Sequence, residues 1–181
     1  MKNSSARLIS FMAIAIAINY IGANIALVLH LPIYLDMMGT LLVALVLGPW
    51  LGATAALISA LLSWMTTDIF ALYFAPVAII TAFLAGLLLD KDTKIQALGW
   101  KSIIISLPGT IVSSAITVIL FHGITSSGSG ILAQLFHQLG IDLTTSLVLV
   151  QALTDYADRF ISLAIIKSLK KYAPNLMASL S

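Results

Sequence analysis

The sequence predicts an all-α integral membrane protein, a compact bundle of six transmembrane helices with both termini cytoplasmic. Three observations predict it. The 181 residues are 60% hydrophobic and only 9% charged, whereas a soluble domain carries about 25% charged residues and needs them to cover its surface. Six apolar segments follow one another, at 8–29, 37–47, 51–65, 72–89, 103–121 and 144–167. Finally, Lys and Arg at positions 2, 7, 91, 94, 101, 167, 170 and 171 all fall on one side if six helices start from an inside N-terminus. The chain 1–181 reads as a single domain, multi-pass in a bacterial plasma membrane.

The first segment follows Lys2 and Arg7, as the core of a signal peptide would. It runs on for longer than the roughly 7–15 residues of such a core, so it reads as a membrane helix. The second and third segments are short and are divided by "LGPWLG" at 47–52, where Gly-Pro is a strong helix break. They read as two short or tilted spans, with a single re-entrant hairpin as the alternative. Small residues recur at helical spacing: Ala13 and Ala17, then Gly52, Ala56 and Ala60, then Ala78, Ala82 and Gly86. Such stripes let helix backbones approach closely in lipid.

The three loops expected to face outward contain no Lys or Arg but are rich in recognition chemistry. The first offers His30, Tyr34 and Asp36, and the second Trp64, Thr66, Thr67, Asp68 and Tyr73. The third begins with His122 and a Ser/Gly stretch. It continues into "ILAQLFHQLGID", which puts Ile131, Leu132, Leu135 and Phe136 on one face, as for an interfacial or capping helix.

The last segment carries the chemistry. Gln151, Asp155, Asp158 and Ser162 recur at intervals of four, three and four, which makes one polar stripe on a helix, with Arg159 beside it. A charge near the bilayer centre costs at least ~2.5–3.5 kcal/mol, so this stripe must face protein or water. Two readings stay open. Asp155 and Arg159 neutralise each other across one turn while Asp158 bonds a neighbouring helix, or the stripe lines a cavity and holds a polar ligand. Gln151 and Asp155, nearer the expected outer mouth, favour the second.

Other signals are weak. "GWKS" at 99–102 lacks the glycines of a phosphate-binding loop. Ser129 in "GSG" has no base at a defined spacing. His122, His137 and Asp142 lack metal-ligand spacing. The chain has no Cys and no Glu, which removes disulfides, thiol chemistry and the commonest metalloprotease base. A net charge of +2 does not suggest nucleic acid. No metal, cofactor or enzymatic activity is expected.

The size, the six-helix layout, the early alanine pair and the aromatic outer loops together resemble the substrate-binding S component of an energy-coupling factor (ECF) vitamin importer. The stretch "LPIYLDMMGTLLVALVLGPWLGATAALISALL" at 31–62 is similar to what many such proteins carry across helices two and three. The resemblance implies high-affinity binding of a vitamin or precursor from outside. It also implies docking to a transmembrane coupling subunit driven by two cytoplasmic ATPases. The family's Ala-x-x-x-Ala docking motif matches Ala13 and Ala17. Cobalt and nickel members carry a histidine after the initiating methionine, where this chain has Lys2, so no metal cargo is implied.

The binding residues then expected are Tyr34, Trp64, Asp68, Tyr73, His122, Gln151, Asp155, Asp158 and Arg159. The aromatic ones would sandwich a flat ring and the polar ones would orient it. Vitamin B6 or hydroxymethylpyrimidine is the leading cargo, with thiamine, riboflavin and pantothenate as alternatives. A membrane sensor or assembly subunit that transports nothing is a separate possibility, and an intramembrane enzyme a third.

Overall fold

A computed structural model describes the backbone of residues 2–89, 93–123 and 125–172; the side chains of 2–4, 95 and 169–172 are not described. Lys91 therefore lies outside the described residues, as do the side chains of Lys2, Lys170 and Lys171. The described residues form helices joined by loops, with no strand among them. In chain order the helices are α1 (Lys2–Val28), α2 (Met38–Leu47), α3 (Pro49–Thr66), α4 (Ala75–Leu88), α5 (Ile95–Ala115), α6 (Ser129–Gln138) and α7 (Leu143–Tyr172). A π-helical turn, Ile116–Leu120, extends α5.

Three stretches are long and apolar enough to cross a membrane: Ser5–Val28, Pro49–Thr66 and Gln96–Leu120. Helices α2 and α4 are shorter apolar helices. At 1.5 Å per residue, the ten residues of α2 rise about 15 Å, half the hydrocarbon core. The Gly-Pro break separates α2 from α3 at the sequence position expected. Gly48 takes φ 94°, and Pro49 opens the new helix where its missing N–H costs nothing.

The outer faces are apolar. Ile9, Ile14, Ile21, Trp50, Ile111 and Leu153 are all exposed. A continuous apolar exterior on this scale suits lipid rather than water. One buried cluster joins α2, α4, α5 and α7 through Leu41, Ala85, Ile105 and Leu163. A second joins α1, α2 and α3 through Phe11, Ala15, Val43 and Ala55.

Close approach of α1 and α2 needs glycine. A Cβ on Gly39 would collide with the Ala15 backbone. This contact brings Asn19 to the start of α2. Its Oδ1 accepts the Gly39 and Thr40 N–H groups at 2.7 and 3.2 Å, and its Nδ2 donates to Thr40 Oγ1 and Ser59 Oγ. Asn19 thus supplies the acceptor that the helix start lacks and ties three helices together in an apolar setting.

Helix α6 packs against α7 through Ala133, Leu147 and Val150. Its Ile131, Leu132 and Leu135 remain exposed, and Phe136 is half-buried.

Candidate functional site: a polar cavity beside helix α7

Gln151, Asp155, Asp158, Arg159 and Ser162 are all buried. The polar stripe of α7 therefore faces the bundle, as the cost of charge in lipid demands. Asp155 is the hub of a hydrogen-bond network. Its Oδ2 accepts Thr110 Oγ1 at 2.9 Å and Ser113 Oγ at 3.1 Å, both from α5. Its Oδ1 accepts Gln151 Nε2 and the Arg159 guanidinium, each at 3.2 Å. Donors from four residues surround the carboxylate, although the single Ser113 hydroxyl proton is shared with the Thr110 carbonyl at 3.1 Å. Asp155 is consequently held in place by groups of the protein itself.

Arg159 is shared. The same terminal nitrogen that meets Asp155 meets Asp158 Oδ2 at 3.3 Å. Its Nε, also buried, has no hydrogen-bond partner among the described residues. Asp158 Oδ1 accepts the main-chain N–H of Leu35 at 2.8 Å. That bond pulls the loop at 29–37 down onto α7. Leu35 takes φ 53°, a left-handed conformation uncommon for a side-chain-bearing residue. Its carbonyl rests on Gly22 of α1, where any Cβ would clash.

The neighbouring Tyr34 hydroxyl lies against the Gln151 amide, accepting from Nε2 at 3.1 Å. Burial, and then the Asp155 charge, push the Tyr34 phenol above its ordinary range, so it stays protonated. The chain of contacts runs unbroken from Tyr34 through Gln151, Asp155, Arg159 and Asp158 to Leu35.

Beside this network lies a cavity of about 120 Å³. A single water needs roughly 10–15 Å³ measured the same way, so the space suits a small molecule rather than one solvent molecule. Tyr34, Asp36, Gln151, Asp155 and Arg159 line it with polar groups, as do Asn19, Ser59 and Ser63. Ala23, Ala26, Ala56, Ala60 and Ala78 leave the room that larger side chains would fill. Toward the loops stand Asp68 and residues 125–127. Asp68 accepts Ser126 Oγ at 2.8 Å, which joins the second loop to the third. A Cβ on Gly128 would strike the His30 carbonyl, so the third loop also sits on the first.

The residues expected at the site divide accordingly. Tyr34, Asp68, Gln151, Asp155 and Arg159 line one cavity. Asp158 stands behind its wall, occupied by Leu35 and Arg159. Trp64, Tyr73 and His122 are exposed and are not part of the wall. Tyr73 meets Phe121 edge-on, at 5.2 Å between ring centroids. The aromatic ring that does reach the cavity besides Tyr34 is Phe74.

Sequence reasoning placed Asp36 in a recognition loop but not at the site, and it passed over Asn19, Thr110 and Ser113. Asn19 and Asn24, polar residues in an otherwise apolar run, are the available signal for Asn19. Nothing in the sequence marks Thr110 and Ser113, because only the packing of α5 on α7 turns them toward Asp155.

Ala13 and Ala17 are both exposed on the outer side of α1, whose apolar span is only 22% buried. The pair does not pack inside the bundle. Among the described residues no cluster of three or more His, Cys or acidic side chains could hold a metal ion. Comparison with protein-family models, characterised proteins and solved structures finds no match.

Proposed function

We propose that this chain is the membrane-embedded substrate-binding subunit of an ECF-type importer for a small vitamin or vitamin precursor. The observation that carries the reading is the cavity. A membrane-type bundle encloses a ligand-sized space lined by a network of polar groups, and residues of all three recognition loops reach it. Pre-organised polar groups in an otherwise apolar pocket are what selective small-molecule binding needs. The resemblance in layout and in the 31–62 stretch supplies the family.

In this reading six segments, α1 to α5 and α7, cross a bacterial plasma membrane with both termini cytoplasmic and the loops outside. Helix α1 presents Ala13 and Ala17 to the transmembrane coupling subunit, and two separate ATPases supply the energy. The chain itself catalyses nothing. Vitamin B6 or hydroxymethylpyrimidine is the leading cargo, being compact, flat and nitrogen-containing.

The test is uptake. Cells that make this chain together with a coupling module should accumulate the labelled vitamin, and cells lacking either should not. Accumulation of none of vitamin B6, hydroxymethylpyrimidine, thiamine, riboflavin and pantothenate would refute import of these vitamins. A ligand bound without uptake would favour the sensor reading.

A further inference from the structure

Charge is distributed unevenly around the cavity. Its wall contains three carboxylates, Asp36, Asp68 and Asp155, against one guanidinium, Arg159, and Asp158 stands directly behind. Among the described residues Arg159 is the sole cation in the wall, and it is held by both Asp155 and Asp158. Its charge is thus neutralised within the protein and is not free for an anionic ligand. Asp155 is surrounded by donors from four residues and Asp68 has both oxygens engaged, by Ser126 and by the Phe70 N–H. Asp36 differs. It is only partly buried, lines the cavity, and makes no hydrogen bond to another described residue.

A carboxylate within reach of a ligand, unspent, and repelled by the acid groups around it asks for a positive partner. The buried Arg159 Nε, without a partner among the described residues, is a donor in the same wall and suits an acceptor substituent carried by the ligand beside its cationic nitrogen. The apolar, alanine-lined remainder of the space accepts a compact hydrocarbon or aromatic body. The expected outer loops carry no Lys or Arg, so nothing at the mouth repels an approaching cation.

From these placements we infer that the cavity takes a small organic cation, a molecule with a protonated or quaternary nitrogen, and that Asp36 is its counter-ion. The inference rests on the binding-subunit reading and narrows it: nitrogen-basic cargoes are favoured, while neutral ring systems and carboxylate-bearing vitamins are disfavoured. Tyr34 and Gln151 then orient the cation's polar substituents, and Asp155 serves as scaffold.

The experiment uses the full chain purified in detergent from cells grown in rich medium. Small molecules released by heat are separated at pH 7 on cation and anion exchangers and weighed by mass spectrometry. Wild-type protein should release about one cationic molecule per chain, and Asp36→Asn should retain roughly tenfold to a hundredfold less, matching the loss of a charge-assisted hydrogen bond. Thermal unfolding of Asp36→Asn controls for folding, and the charge of the wild-type ligand stands independently of any variant. A stoichiometric neutral or anionic molecule overturns the inference and leaves the import reading intact. So does a cation that Asp36→Asn, properly folded, keeps as well as wild type. An empty wild-type protein also overturns it, and docking to the coupling subunit then judges the import reading separately. A bound cation that is never taken up leaves the inference standing and removes import.

Discussion

Leu35 and Asp158 are 123 residues apart in sequence and are joined by a 2.8 Å hydrogen bond from main-chain N–H to carboxylate. Through this bond a loop outside the helices is fastened to the charged centre of α7. Asp158→Asn keeps an acceptor for the N–H and loses the charge that Arg159 uses; Asp158→Leu loses both. The leucine variant should be destabilised by about 3–5 kcal/mol, as when a buried pair is broken. The asparagine variant should be affected less. Thermal unfolding in detergent measures both, and equal losses would show that the loop contact contributes nothing to stability.

Asp155 and Arg159 are each no more than 3% exposed, so their coupling should be large. Asp155→Asn leaves Arg159 with one buried partner instead of two and should be clearly destabilising. Arg159→Gln alone strands both Asp155 and Asp158, whereas in the double variant only Asp158 loses its cation, so the second change should cost less than it does alone. The double-mutant cycle should give a coupling within the roughly 0.5–3 kcal/mol seen for residues in one network. Additive effects would mean that the two side chains act independently.

Exposure of Ala13 and Ala17 separates folding from docking. Ala13→Leu with Ala17→Leu should leave thermal stability and ligand retention at wild-type levels. Co-purification with a coupling subunit should be lost. If retention falls as well, Ala13 and Ala17 support the bundle around the cavity rather than a partner surface.

Asp36 should give the ligand-free protein a pH-dependent stability. Burial, and then the Asp158 charge, push it up to about 7, with Asp155 adding to the rise and Arg159 opposing it. Tyr34 and Asp68 also line the cavity it faces. A carboxyl raised in the folded state favours folding most below its unfolded value near 4 and loses that contribution as pH rises through about 7. The unfolding temperature of wild type should therefore fall between pH 5 and pH 8, and Asp36→Asn should flatten the slope. Identical profiles would remove Asp36 as the source.

The chain contains no native cysteine, which makes orientation directly readable. Leu139→Cys, at the exposed end of α6, should react with an impermeant thiol reagent on intact cells. Lys94→Cys should react only after the membrane is opened. The reverse pattern would invert the proposed topology.

Much of the architecture could be read from hydrophobic runs, because lipid imposes one simple rule on every outward face. The break at Gly48 and Pro49 falls where Gly-Pro chemistry puts it, and the stripe from Gln151 to Ser162 is buried as its spacing requires. Helix α5 begins at Ile95, before the apolar run at 103–121. Lys101 can sit within it because its ammonium reaches back to the Leu88 carbonyl at 2.7 Å. The site was legible along α7 and, in the loops, at Tyr34 and Asp68. Periodicity identified α7 as polar on one face, but it could not say which helix would pack opposite. The Thr110 and Ser113 bonds to Asp155 were hidden for that reason, and so was the free carboxylate of Asp36. Trp64 and Tyr73 looked like ring-stacking groups by type alone; Trp64 lies in the last turns of α3 and Tyr73 in the turn that follows, and both are exposed.

Surface loops ordinarily tolerate insertions and deletions, but the loop at 29–37 is pinned at three main-chain points. Its His30 carbonyl meets Gly128, its Leu35 carbonyl meets Gly22, and its Leu35 N–H meets Asp158. One residue added or removed between His30 and Leu35 shifts at least one of these anchors out of place. If the cavity binds as proposed, descendants of this chain acquire a new ligand preference by exchanging side chains at positions such as 34 and 36, and not by changing the length of the loop. Its evolvability is one of spelling rather than of length.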